Sequence, residues 1–413
     1  MSLALPPDVN SLAPRAYSFG RGLGIPSVVL QRVFSSMEYG RLIVVLPNGA
    51  RVDCRGRAPG PEAMVVLRNM RALRRLFFSG DVAFAESYVQ SDWHSPDLSA
   101  VVEIAALNGE SFMRAIEGFA PARFVNWLTH RLRTNSRKGS RRNIEFHYDL
   151  GNEFYREWLD ADMFYSSGIY CSGEETLEEA QKNKIDCVLD WLDASAEDDV
   201  LEIGCGWGAL AATVAERRKA RVTGLTLSRQ QLVHARGIAQ VRAVDDRVDI
   251  RLQDYRDVSG RFDRILSIEM IEAVGPEYWP TYFAVLRERL EEGGHAVLQA
   301  ITIADDRFER YSATPDFIQC YIFPGGALPS RARMLAEIER AGLRLDRCQM
   351  FGPSYARTLV DWRRRFHDAW PTIERLGFNA SFRRLWDYYL CYCEGGFRSG
   401  VIDVGLYKLV HAK

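Results

Sequence analysis

The sequence predicts an α/β protein: a doubly wound, mostly parallel sheet preceded by a smaller N-terminal domain of α+β or helical type. Three observations carry that reading. From residue 176 onward, helical periodicity alternates with short runs of β-branched and aliphatic residues. The first of those runs, Val200 to Ile203, leads into three alternate glycines, Gly204, Gly206 and Gly208, and then into the small-residue stretch Ala209 to Ala215. Charge also divides the chain: residues 1–142 hold 19 Lys/Arg against 11 Asp/Glu, a net of +8, which leaves −9 for the rest.

Residues 1–26 are rich in Pro, Gly and Ser and read as poorly ordered. Arg41 to Leu46 and Ala50 to Asp53 read as two short strands around the turn Pro47-Asn48-Gly49. Helical patterns follow at 62–78, 81–90 and 98–117, and Pro121 marks a break. Residues 131–142 contain Arg131, Arg133, Arg137, Lys138, Arg141 and Arg142 without an acid, a solvated linker or a surface for an anionic partner. The domains expected are therefore 1–125, a basic linker at 126–142, and 143–413. In the last, helices at 176–192, 208–218, 228–240 and 277–290 alternate with strands at 199–203, 221–225, 247–252, 263–268 and 294–301. Ligands of such sheets bind beyond the carboxyl ends of the strands, so the residues just after each strand are the candidates.

After the first strand, the glycines let the backbone turn sharply and approach a ligand, and the helix behind them offers free N–H groups. The G-x-G-x-G spacing differs from the dinucleotide G-x-G-x-x-G and argues against NAD. Glu202, one residue before the turn, is set to order the loop or to meet an ammonium group. Together with Cys205 and Trp207 this turn suits an amino-acid-bearing nucleoside such as S-adenosylmethionine. After the second strand no acid is present to hold ribose hydroxyls, which leaves Thr226, Ser228 and Gln231 for neutral hydrogen bonds, or Ser228 as a simple helix cap. After the third strand comes Gln253-Asp254-Tyr255, with Asp254 set to accept from an adenine amino group and Tyr255 to cover the ring. After the fourth, Glu269 and Glu272 lie in an apolar segment, where two carboxylates are costly unless one has a function.

Phe146-His147-Tyr148-Asp149-Leu150-Gly151-Asn152-Glu153-Phe154-Tyr155, Tyr165-Ser166-Ser167-Gly168, Leu201 to Gly208, Leu225 to Ser228, Gln253 to Asp257 and Cys320 to Gly326 resemble the cyclopropane-fatty-acyl-phospholipid synthase family, which includes the mycolic acid cyclopropane synthases. The resemblance spans about residues 143–410, and Gly80-Asp81 to Leu98 is similar to the N-terminal domain of the phospholipid enzymes. It implies a class I methyltransferase-like fold, S-adenosylmethionine as methyl donor, and cofactor contacts from Tyr165, Ser166, Gly204, Thr226, Ser228, Gln231 and Asp254. It also implies a bicarbonate base, held by Ser167, Glu272, Gln299, Tyr321 and the backbone of Ile301. The family's often-cited cysteine falls on Cys393, although methyl transfer to an alkene has no acyl-enzyme step and a structural role suits it as well. Ser167 stands where many cyclopropane synthases have Cys, Gln299 where they have His, and Ala273 replaces another His. None of these titrates near neutral pH as His does, so methyl transfer is expected to survive and ring closure is less secure.

The resemblance implies methylation of an unsaturated phospholipid acyl chain, giving a cyclopropane, with a methyl- or methylene-branched chain as the alternative. An apolar bore is then required, and the aromatic-rich tail offers Phe308, Tyr311, Phe317, Tyr321, Phe323, Trp362, Phe366, Trp370, Trp386, Tyr388 and Tyr389, most of which should be plain core. A lipid-binding scaffold without activity and a methyltransferase of other substrates are the rivals; no base-reading motif supports nucleic acid. The eight scattered cysteines read as reduced thiols, with no disulfide framework or metal site. No secretory signal or 20-residue apolar run is visible. A cytoplasmic protein held at the inner face of the membrane, with a homodimer allowed, is the expectation.

Overall fold

The computed structural model describes residues 33–116 and 150–412. The Pro/Gly/Ser-rich start, the basic stretch 131–142 and the motif Phe146 to Asp149 lie outside the described residues.

The N-terminal part is a four-stranded sheet of order β2-β1-β3-β4, built from β1 (Tyr39–Val45), β2 (Arg51–Arg55), β3 (Ala58–Leu67) and β4 (Trp93–His94). Beside it lie helices α1 (Arg71–Val89) and α2 (Leu98–Ile116). The hairpin at Pro47-Asn48-Gly49 forms as the turn residues require, with Gly49 at φ 82°. One expectation is corrected: the helix at 62–78 begins only at Arg71, and Ala58–Leu67 is a strand. Ala63, Val65 and Leu67 are buried in alternation while β3 pairs in parallel with β1, so sheet pairing overrides the helix propensity of Glu62-Ala63-Met64. Gly80, at φ 82°, kinks α1 between two helical halves.

The larger sheet has seven strands in the order β10-β11-β9-β8-β5-β6-β7. Its parallel members are β5 (Asp199–Ile203), β6 (Arg221–Thr226), β7 (Val248–Leu252), β8 (Phe262–Ile268) and β9 (Leu290–Ile303). Of the last two, β11 (Ile402–His411) runs antiparallel to β9, and β10 (Leu343–Met350) pairs antiparallel with β11 and so runs with the parallel strands. Central β5 is buried from Val200 to Ile203, as a strand covered on both faces must be. Strand order reverses between β5 and β8, which puts the glycine turn at the topological switch point.

The helices that matter for the site are α3 (Asn152–Arg156), α4 (Leu177–Leu192), α5 (Ala209–Arg218), α6 (Arg229–Val241) and α7 (Trp279–Arg289). Beyond β9 come α8 (Asp305–Ala313), α9 (Phe317–Tyr321), α10 (Arg331–Arg340), α11 (Gly352–Asp368), α12 (Trp370–Arg375) and α13 (Ala380–Arg398). Helix α13 packs on α2 at Gly395, where a Cβ would lie 2.8 Å from the Glu103 nitrogen and from Val102 Cβ. Asp387 on α13, buried, accepts hydrogen bonds from Tyr88 Oη and Arg363 Nε, both at 2.8 Å, and lies 2.8 Å from His367 Nε2. Ser99 Oγ donates to Glu394 Oε2 at 2.5 Å. These contacts fix the N-terminal sheet and its helices over the open end of the larger one.

Candidate functional site

A cavity of about 1570 Å3 begins at the glycine turn and runs beneath the N-terminal helices. Single-ligand pockets span ~300–1,000 Å3, so this one has room for a nucleoside cofactor and a long chain together. Around the glycine turn it is lined by Glu202, Gly204, Gly206, Thr226 and Gln231; elsewhere its lining is mostly apolar, with Leu73, Phe84, Val102, Phe323 and Phe397.

At the polar end, Gly204, Gly206 and Gly208 all have positive φ, 82°, 53° and 87°. Nothing lies within 4 Å of where a Gly206 Cβ would sit, so the turn leaves open space. Glu202 is buried, it accepts from the Ala211 backbone in the first turn of α5, and its Oε2 has no partner among the described residues. Burial pushes its carboxyl up to about 8, an effect that Lys184 opposes. A buried carboxylate oxygen without a partner is an acceptor able to take a hydrogen bond from a cationic group in the cavity. Thr226 Oγ1 donates to Gln231 Oε1 at 2.8 Å, while Ser228 caps α6 by accepting from Gln231 N at 3.3 Å. Thr226 and Gln231 line the cavity, and Ser228 holds the loop behind them. Gln253 and Tyr255 line it too, whereas Asp254 is not part of its lining and both its oxygens accept from Arg256, at 2.6–2.9 Å. Arg256, two residues on, donates three hydrogen bonds to the carboxylate that the sequence assigns to adenine.

Tyr165, Ser166, Cys205 and Trp207 line the wall between the polar and apolar ends. Tyr165 and Tyr389 hydroxyls lie 2.7 Å apart, and Trp207 Nε1 donates to Asn152 Oδ1 at 2.8 Å. Tyr155, Trp158, Trp362 and Trp386 pack behind them with centroids 5–6.4 Å apart, so water is kept from that wall. Ser166 Oγ accepts from Lys184 Nζ at 2.8 Å. Lys184 is 1% exposed, and burial lowers its ammonium to about 8 against the pull of Glu269, Asp160 and Glu202.

The proposed anion cradle is only partly assembled. Glu272, Ile301 and Cys393 line the cavity, and Ile301 N donates to Glu272 Oε1 at 2.6 Å. Ser167 N and Gln299 Nε2 instead donate to Glu269 Oε1, at 2.9 and 2.7 Å. Ser167 Oγ is turned to Gly168 O at 2.8 Å, and Tyr321, 37% exposed, gives its hydroxyl to Glu86 of α1. Burial holds the Cys393 thiol far above its ordinary range, so it is not a thiolate. Of the eleven aromatic residues expected around a bore, Tyr311, Phe323, Tyr388 and Tyr389 line the cavity and the others pack outside its wall.

Sequence reasoning missed Lys184, Tyr355 and the N-terminal wall, and it left Glu269 without a partner. Lys184 had a readable signal: it falls on the helical stripe of Leu177, Val188 and Trp191, where a charge needs a reason. The N-terminal wall had none, because Phe84, Val102 and Ile104 look like ordinary core. Ala105 on α2 also lines the cavity, and Ala105→Trp is expected to raise KM for long acyl substrates at least about fivefold while cofactor affinity stays within about twofold. Calorimetry with the cofactor, beside steady-state kinetics, checks the split.

A family model of mycolic acid cyclopropane synthetase matches residues 135–406. Tuberculostearic acid methyltransferase UfaA1 of Mycobacterium tuberculosis is 37% identical over 364 residues, 85% of this chain and 84% of that protein. Cyclopropane-fatty-acyl-phospholipid synthase of Escherichia coli is 33% identical over 377 residues, 90% of this chain and 93% of the other. Among solved structures, the cyclopropane synthase MmaA2 of M. tuberculosis is similar with TM-score 0.61 and 29% identity, covering 65% of this chain and 97% of its own. The mycolic acid cyclopropane synthase CmaA1, complexed with SAH and CTAB, has TM-score 0.60 and 30% identity over the same shares.

Proposed function

The chain belongs to the mycolic acid cyclopropane synthetase family, and from that premise we propose that it adds a methyl group to the double bond of an unsaturated fatty-acyl chain in membrane phospholipid and closes it to a cyclopropane. It is an S-adenosylmethionine-dependent methyltransferase with a class I fold. The observation that carries the substrate reading is one cavity that joins the polar glycine turn to a lining that is mostly apolar.

S-adenosylmethionine supplies, when bound, a methyl group on a positively charged sulfur that a weak carbon nucleophile can attack. The residues around it bind, orient and keep water out. Glu202 Oε2 would meet the amino-acid end, the Thr226–Gln231 pair would offer neutral hydrogen bonds to the ribose, and Gly206 leaves room at the turn. Tyr165, Trp207 and Tyr389 line the cavity and would offer aromatic faces to the positive charge as it passes from sulfur to substrate. The alkene, a poor nucleophile, gains most from being held in line within a dry bore.

A second reading, an open methyl- or methylene-branched product, is favoured by Ser167 and Gln299, whose hydrogen bonds go to Glu269. Expression in a host without such lipids tests both. Total fatty acids should gain a species one CH2 heavier than their unsaturated parent, and NMR of that species distinguishes ring from branch. An unchanged fatty-acid profile contradicts both readings.

No described helix is long and apolar enough to cross a membrane. The proposed attachment is peripheral, through the N-terminal part and the basic stretch 131–142, each basic residue contributing about 1 kcal/mol near an anionic leaflet. Co-sedimentation with anionic phosphatidylglycerol vesicles should be strong at low salt and fall several-fold by about 0.5 M, as screening shortens below ~5 Å. Equal binding to neutral phosphatidylcholine vesicles, or no salt dependence, contradicts it.

A further inference from the structure

Bicarbonate does not fit the residues present, because the donors it would need are already taken. Ser167 N and Gln299 Nε2 serve Glu269 Oε1, Ile301 N serves Glu272 Oε1, and the Tyr321 hydroxyl is turned to Glu86. We propose that Glu269 takes the place of an external anion: its own carboxylate is the base that receives the proton lost by the substrate after methyl addition. The inference rests on the methyl-transfer reading given above.

Three observations converge on Glu269. It lines the cavity directly after β8, at the switch-point end of the sheet. It holds φ 48°, a conformation that costs a non-glycine residue about 1 kcal/mol or more, and strain of that kind collects at functional positions. Three donors converge on its carboxylate, the third being Tyr355 Oη to Oε2 at 2.6 Å. A carboxylate offers about four acceptor positions, so Oε2 keeps one for a proton.

The charged and titratable groups around it fit the same role. Lys184 of α4 and Glu272 on the following turn act on it through space, while Tyr355 of α11 and Cys393 of α13 stay protonated because burial raises both. Two carboxylates in one apolar cavity resist ionising together. Glu272 is pushed up to about 8, mainly by burial and then by the Glu269 charge nearby, against two backbone donors, Ile301 N and its own N–H. Glu269 is also raised by burial, but Tyr355, Ser167 N, Lys184 and Gln299 all favour its ionised form. It is therefore the member of the pair able to accept a proton.

The step balances without a further reagent. The π pair of the alkene forms the bond to the incoming methyl carbon, sulfur keeps the electrons of the bond that breaks, and the positive charge passes to the neighbouring carbon. A C–H bond of the new methyl group then breaks. Its electron pair closes the ring, and the proton goes to Glu269 Oε2 and afterwards to solvent. Loss of a proton from a neighbouring carbon to the same oxygen gives the branched product.

The test uses the full chain, S-adenosylmethionine and vesicles of monounsaturated phosphatidylglycerol in carbonate-free buffer. Wild type should run at the same rate with and without added bicarbonate. Glu269→Ala should lose about 100-fold or more in kcat, within the range of general-base removal, with cofactor affinity within about threefold of wild type. Tyr355→Phe, which removes one donor, should move the acid limb of kcat to higher pH. Stimulation of wild type by bicarbonate, near-normal turnover in Glu269→Ala, or an unmoved acid limb in Tyr355→Phe overturns the proposal. If the alanine variant fails to fold, the Tyr355→Phe limb decides alone. A wild-type protein that methylates no acyl chain contradicts the function reading instead, and is distinguished by that result.

Discussion

Lys184→Met should destabilise the protein by about 3–5 kcal/mol, the usual cost of leaving buried charge without its partner. The lysine is wholly enclosed, its Nζ donates to Ser166 Oγ, and its stem lies against Phe164 with the nitrogen 4.5 Å from the ring centroid. Methionine keeps the stem and removes the charge that Glu202, Glu269 and Asp160 share. The pH dependence gives the sharper check. Glu202 is raised to about 8 and Asp160 to about 6, both by burial, with Lys184 opposing. Without the lysine these carboxyls rise further, so the folded form holds protons that the unfolded chain has released. Stability then falls as pH increases from the ordinary carboxylate range towards 8 and beyond, more steeply in the variant than in wild type. Chemical denaturation at pH 5.5 and pH 8 measures it; equal losses at the two pH values contradict the account.

Gly208→Ala is expected to cost about 2–4 kcal/mol, from about 1 for the positive φ and 1–3 for overpacking. Gly208 has φ 87°, and an added Cβ would lie 2.5 Å from Ala235 Cβ and 2.8 Å from its Cα. Relief requires α5 or α6 to shift, and both carry the cofactor loops. S-adenosylmethionine affinity should therefore fall at least about tenfold along with stability, whereas a merely structural defect far from the loop would lower stability alone. Thermal unfolding with and without cofactor separates the two, because bound cofactor should stabilise the variant much less than wild type.

The contrast between these residues shows what the sequence could convey. Gly204, Gly206 and Gly208 were legible because a turn after a buried strand demands them, and the parallel sheet was legible from its alternating periods. The antiparallel pair β10 and β11 carries no comparable local mark, since its pairing is set by contacts more than fifty residues apart. Strand β3 was misread because Glu62-Ala63-Met64 favours a helix locally while its partner β1 lies some twenty residues earlier. Asp254 illustrates a different difficulty: its position after β7 suits adenine, while its ion pair with Arg256 two residues away carries no mark in the sequence. Glu269 is the most instructive case. Its burial cost was apparent from an apolar segment, yet its role depends on Ser167, Gln299 and Tyr355, which the loop before α4, strand β9 and helix α11 bring to it.

The whole account rests on methyl donor and acyl chain meeting inside one cavity. Purified protein incubated with isotopically labelled S-adenosylmethionine and vesicles of either monounsaturated or fully saturated phosphatidylglycerol tests this most directly. The account predicts label in the acyl chain of the unsaturated lipid, one CH2 heavier by mass spectrometry, and none in the saturated lipid. Label on the head group, or equal labelling of both lipids, would contradict it.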